Sequence, residues 1–119
     1  MNVKSYKDLI VWQKSLDLVD RIYDVTESFP SREMYGLTNQ LRRAAVSIPS
    51  NIAEGQARQS TPEFRRFLSI AKGSLAEVET QLHIAIRRNY VSEEDFQKIL
   101  LLANEISKML ASLYNKLSD

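Results

Sequence analysis

Few side chains in this sequence are suited to covalent or metal chemistry. His83 is the single histidine and there is no cysteine, which removes thiolate nucleophiles, disulfides and thiolate metal sites and is compatible with a reducing compartment. Glu79 precedes His83 by four residues, so on a helix the two share a face. Two ligands make a weak set beside the three or four of an ordinary zinc site. A di-iron centre in a helical bundle needs two Glu-x-x-His motifs, and no second histidine exists to complete one. A Ser-His-Asp triad needs an activated serine, and there is no G-x-S-x-G elbow to present it. Gly36, Gly55 and Gly73 are isolated, so no glycine loop cradles a phosphate. The expectation is no catalytic residue, no metal site and no cofactor, with Glu79 and His83 a surface pair.

Charge is the second resource. The formal net charge is only +1, but it is unevenly spread. Residues 32–72 carry seven basic and three acidic side chains, while residues 73–91 balance at two each. Arg42, Arg43, Arg58, Arg65, Arg66 and Lys72 form the basic set of that segment. If these side chains meet in one patch, they would contact RNA or DNA phosphates with little sequence preference and strong salt dependence. Guanidinium forks suit phosphate oxygens. The competing reading is a solvated face partly tied up in ion pairs, since a pI near 8 falls short of a dedicated nucleic-acid binder. No aromatic residue is interleaved for base stacking unless Phe64 and Phe67 are exposed, and their spacing is that of a core.

The elements that must position these groups are helical. A chain of 119 residues suits one domain, here taken as 1–119. An apolar fraction of 44% with 26% charged residues is that of an ordinary folded domain. The first sixteen residues hold only a four-residue apolar run, Leu9 to Trp12, too short for a signal peptide or a membrane span. A cytoplasmic protein without a membrane role is expected. Three polar breaks, Phe29-Pro30-Ser31-Arg32, Gln59-Ser60-Thr61-Pro62 and Asn89-Tyr90-Val91-Ser92, divide the chain into four stretches. Ser60 or Thr61 suits a helix cap with Pro62 in the first turn, and Ser92-Glu93-Glu94-Asp95 resembles a capping box. Helices are therefore placed at about 5–28, 33–57, 62–89 and 93–117. Phe64, Phe67, Leu68, Ala71, Leu75, Val78, Leu82 and Ile86 repeat at three and four residues, as do Phe96, Ile99, Ala103, Ile106, Leu110, Leu113 and Leu117. Matched lengths and short connections predict an all-α, antiparallel up-down-up-down four-helix bundle.

The first and second stretches depart from a simple pattern. The first carries two apolar stripes, Leu9, Trp12, Leu16, Val19, Tyr23 and Val11, Leu18, Ile22, Val25, Phe29, roughly 120° apart around the helix. One suffices for a bundle core. The other is either covered by a second copy of the chain or lies deep between two helices of its own bundle. The second stretch holds Pro49, which removes a backbone donor and crowds the carbonyl of Ala45, so a kink or break is expected there. Arg43, Ser47, Ser50 and Glu54 fall on one polar face, either solvated or packed between helices or subunits. Ala44, Ala45 and Ala53 allow close approach of a partner helix.

The run Gln40-Leu41-Arg42-Arg43-Ala44-Ala45-Val46-Ser47-Ile48-Pro49-Ser50-Asn51-Ile52-Ala53-Glu54-Gly55 carries a resemblance. So do Leu9 to Lys14, Tyr35-Gly36-Leu37-Thr38, and Phe64, Phe67-Leu68, Ala71, Gly73-Ser74 and Glu77. Together they resemble the family called four-helix bundle protein, or 23S rRNA intervening-sequence (S23) protein. The resemblance spans nearly the whole chain. It implies a four-helix bundle assembled as a ring-like homopentamer, in which Arg43, Ser47, Pro49, Ser50, Asn51, Glu54 and Gly55 serve packing and assembly. Members include proteins encoded inside intervening sequences of bacterial large-subunit rRNA genes. Distant relatives are accessory proteins of diversity-generating retroelements, which bind nucleic acid and a reverse transcriptase. The functional expectation is a non-enzymatic oligomeric bundle that binds nucleic-acid backbone, with a homo-oligomeric scaffold for a protein partner as the alternative.

Overall fold

The computed structural model describes residues 5–117. Four helices make up the fold: α1 (Ile10–Thr26), α2 (Leu37–Ala57), α3 (Thr61–Arg87) and α4 (Glu93–Lys116). No strand occurs among the described residues. Each helix packs on the next in sequence, and α4 also packs on α1, which closes an elongated particle of 45 × 24 × 19 Å. Paired contacts give relative directions. Ser47 meets Ser74 and Gly55 meets Phe67, so α2 and α3 run in opposite senses. Arg65 lies on Tyr114 and His83 on Phe96, so α3 and α4 do too.

The starts of α1 and α2 fall later than the sequence pattern suggests. Residues Tyr6–Asp8 form a 3-10 turn capped by Ser5, and Leu9 is extended, so α1 begins at Ile10 rather than near residue 5. Pro30 opens a second 3-10 turn, Ser31–Glu33. Gly36, at φ −118 and ψ −114, then leaves the helical region just before α2. The α2 helix is continuous through Pro49, so the proline does not break it. Around Pro49 the side chains of Ser50 and Asn51 donate to the carbonyls of Val46 and Ser47 at 2.8 Å.

Caps define the other ends. Ser60 accepts from Glu63 N and Ser92 from Asp95 N, satisfying donors that have no partner within the helix. Beyond α3, Asn89 takes φ 62. Asn89 N donates to Ile86 O, and Tyr90 N donates to Ala85 O at 2.9 Å. These two bonds make a Schellman closure, and asparagine tolerates its left-handed position.

The core follows the apolar periodicity of α3 and α4. Leu68, Ala71, Leu75, Val78 and Leu82 are buried against Ile99, Ala103, Ile106 and Leu110. From α1 the second stripe supplies Val11, Leu18 and Ile22, joined by two buried hydroxyls, Ser15 and Thr26. Each hydroxyl donates to a carbonyl of its own helix at 2.7 Å, so neither is left unsatisfied.

Candidate functional site

The first apolar stripe of α1 is only partly covered within the chain: Leu9 joins the core, but the stripe surfaces further along the helix. Leu16, Tyr23 and, across from them on α2, Val46 are 38%, 41% and 40% exposed. Trp12 and Val19 are half-buried beside them. Leu16 and Val19 line a groove between α1 and α2 with Val46, Pro49 and Ala53, closed at one end by Tyr6 and Trp12. Their rings meet edge to face at 5.2 Å. Tyr23, Val46 and Ser47 continue the depression toward Asn39, Arg42 and Arg43. The groove exists because Pro49, Ala53 and Ser50 are short, so α2 presents no long side chains to fill it.

The polar motif of α2 is divided among several tasks. Ser47 shares a 2.8 Å hydrogen bond with the buried Ser74 of α3, and Asn51 donates to Ser47 Oγ at 2.9 Å. Gly55 lies where α3 comes closest, since a Cβ there would stand 2.6 Å from Phe67 Cβ. Glu54 pairs with Arg58 at 2.9 Å. Only Arg43 points to solvent with no polar partner among the described residues.

The six basic residues do not form one patch. Arg42 is tucked against α1. Its Nε donates to Thr26 Oγ1 at 2.8 Å, and its guanidinium lies 4.7 Å from the Tyr23 ring centre. Arg58 and Arg66 both stack on Phe67 and share Glu63. Arg58 also bonds Glu54, which holds its guanidinium even more firmly protonated. Arg65 turns the other way, 4.5 Å above Tyr114 of α4, and Lys72 faces the same side. The register set by Ser47 and Ser74 puts Arg43 level with Val78, roughly 18 Å along the bundle from Arg66 at ~1.5 Å per residue. Phe64 and Phe67 are buried, so they offer no stacking platform.

Sequence reasoning passed over the opposite end of the molecule. Arg32, Arg87 and Arg88 are exposed there. Between them Glu33 accepts from Leu37 N at 3.2 Å and from Tyr90 Oη at 2.9 Å. The Leu37 and Tyr90 hydrogen bonds, with help from Arg32 and Arg88, hold the Glu33 carboxyl below the usual carboxylate range. His83 packs edge-on to Phe96 with ring centres 5.1 Å apart. Among the described residues, no three or more His, Cys, Asp or Glu side chains gather as a metal site. No helix among them is long and apolar enough to cross a membrane.

The fold and its open groove define a class, the all-α four-helix bundle whose α1–α2 face lacks cover. The chain belongs to the 23S rRNA-intervening sequence protein family, whose model matches residues 7–112. A solved structure from Bacteroides thetaiotaomicron VPI-5482, described as a protein of unknown function from the S23 ribosomal protein family, is similar at 31% identity and a TM-score of 0.83. The similarity covers 92% of this chain and 98% of that one. No enzyme family is indicated. No curated protein matches the chain.

Proposed function

We propose that this protein is a non-enzymatic building block that acts as a homo-oligomer, with the α1–α2 groove filled by a second copy of the chain. The observation that carries this reading is the stripe Leu16, Tyr23 and Val46, apolar and more than a third exposed along a continuous groove. Such patches on helical bundles mark association surfaces. The family resemblance implies five copies in a ring, an arrangement in which one face of each copy meets a different face of the next. Glutamate at Leu16 and at Val46 tests it. Each substitution puts a charge into the interface, so the mass by light scattering should fall to that of one chain while helix content is kept. Unchanged mass in both variants would sink the reading.

A second element of the function, binding of RNA or DNA backbone, is favoured by the two members of the basic set that are exposed and make no ion pair among the described residues, Arg43 and Lys72. In an oligomer each is repeated on every copy, which multiplies weak phosphate contacts. Arg58 and Arg66 contribute less, because Glu54 and Glu63 already neutralise them. Titration of labelled RNA and DNA across a salt series should show binding that weakens steeply with salt and drops on Arg43→Glu. Absence of binding at low salt leaves the protein-scaffold role alone.

A further inference from the structure

The α1–α2 groove is concave, so two copies of it cannot fill each other, and its occupant in an assembly is a different, projecting face of the next chain. The head of the groove sets the chemistry of that occupant. Arg42 is half-buried there, held by Thr26 and the Tyr23 ring with no ion pair among the described residues. No carboxylate lies among the described residues that line the depression around it. The occupant therefore brings an acid to this end. It brings apolar side chains to the stretch between Leu16 and the short residues Pro49, Ser50 and Ala53.

One face of α3 carries that pattern. Ile70, Glu77 and Ile84 repeat at seven residues and so form one row along the helix. Ile70 and Ile84 are 40% and 44% exposed, and Glu77 is exposed without an ion pair among the described residues. Glu77 lines a shallow depression with Asn39, Gln40 and Arg43, which puts the row on the α2 side of α3. Groove and row thus flank α2 on either side, a placement that lets one face meet the other around a closed ring. The register agrees. With Ser47 opposite Ser74 on antiparallel helices, Ile70 is level with Asn51 and Glu77 with Ala44. Copies turned about an axis parallel to the bundle keep these levels. Ile70 of one chain then comes opposite the Pro49–Ala53 stretch of the next, and Glu77 stands only about 3 Å along from Arg42. The α1–α4 side also exposes apolar side chains, Ile10 and Leu101. There, however, the carboxylates beside Leu101 on α4, Glu94 and Glu105, are already held by Lys98 and Lys14.

We infer that the row Ile70, Glu77 and Ile84 of one chain docks in the α1–α2 groove of the next, with Ile70 between Leu16 and Pro49 and Glu77 paired to Arg42. This docking rests on the assembly reading of the groove. The chain has no cysteine, so an introduced pair reports the contact. No Cα atoms of α1 and α3 lie within 8 Å of each other, beyond the ~7 Å reach of a disulfide. A disulfide in the Leu16→Cys/Ile70→Cys protein therefore joins only separate chains. Under mild oxidation that protein should run on a non-reducing gel as a ladder of covalent multiples, while each single variant stays at the size of one chain. In light scattering, Ile70→Glu should lower the mass and Leu101→Glu should leave it unchanged; both positions are exposed, so neither variant threatens the fold. Covalent dimers of the Leu16→Cys protein alone would overturn the inference, because the groove would then meet itself. So would a doubly substituted protein that gives no ladder while the unsubstituted chain scatters as an oligomer, a result that leaves the assembly reading standing. A single-chain mass for the unsubstituted protein would overturn both together.

Discussion

The same substitution, glycine to alanine, should have opposite consequences at two helical positions of this bundle. Alanine is favoured over glycine inside a helix by about 1 kcal/mol, because it loses less backbone entropy. At Gly73 the added Cβ would meet nothing within 4 Å, so Gly73→Ala should stabilise the protein by roughly 0.5–1 kcal/mol. At Gly55 it would stand 2.6 Å from Phe67 Cβ and 3.1 Å from Phe64 Cδ1. A Cβ is fixed by its own backbone, so no rotamer relieves the first contact, and α2 and α3 must part by about 1 Å to restore ordinary van der Waals separation. Overpacking of that kind costs ~1–3 kcal/mol, which outweighs the helix-propensity gain. Gly55→Ala should therefore be the less stable variant, by about 2 kcal/mol relative to Gly73→Ala. Urea unfolding followed by circular dichroism, at one fixed protein concentration because assembly shifts the midpoint, reads both. A Gly55→Ala protein as stable as its parent would refute the claim that this glycine sets the α2–α3 distance. A Gly73→Ala protein that loses both stability and mass would mean that another subunit packs at Gly73.

Two more outcomes follow from single contacts. Glu33 has a lowered folded-state pKa from its bonds to Leu37 N and Tyr90 Oη. Its contribution is therefore present at neutral pH and lost as pH falls through the folded-state value, which lies below the ordinary glutamate range. In urea unfolding, Glu33→Gln should lower the midpoint at pH 7 and narrow its gap to the parent by pH 3; a constant gap would contradict the assignment. Ser47 and Ser74 share a part-buried 2.8 Å bond, so Ser74→Ala should cost ~1 kcal/mol. A double-mutant cycle with Ser47→Ala should show coupling of at least ~0.5 kcal/mol, and strictly additive effects would show that the bond contributes nothing.

Much of the architecture was legible because α3 and α4 obey one rule throughout. Phe64 to Leu82 and Phe96 to Leu110 repeat at helical spacing, and the buried positions are these. Ser60 and Ser92 announced the caps that the structure shows. The two stripes of α1 were also readable, and the structure resolves them: Val11, Leu18 and Ile22 enter the core, while Leu16 and Tyr23 stay at the surface. The start of α2 was not readable, because Gly36 ends the preceding turn through an unusual ψ that no periodicity encodes. At Pro49 the sequence left a kink or a break open, and the helix runs on through it, since a proline housed on a packed helix removes one hydrogen bond without ending the helix. Among the cations, the sequence pattern gave the basic excess of residues 32–72. It could not show that Arg42 reaches Thr26, sixteen residues back on another helix. Arg87 and Arg88 were hidden by counting, because Glu77 and Glu79 cancel them within the same segment although they lie two turns or more away along α3.

The most direct test of the account is the mass of the unsubstituted protein in solution, by light scattering over a range of concentrations. Assembly through the α1–α2 groove predicts an integral multiple of the 13.7 kDa chain, near 69 kDa for the five copies that the family resemblance implies. A constant 13.7 kDa at every concentration would contradict it, and Leu16, Tyr23 and Val46 would then be an apolar face with some other partner.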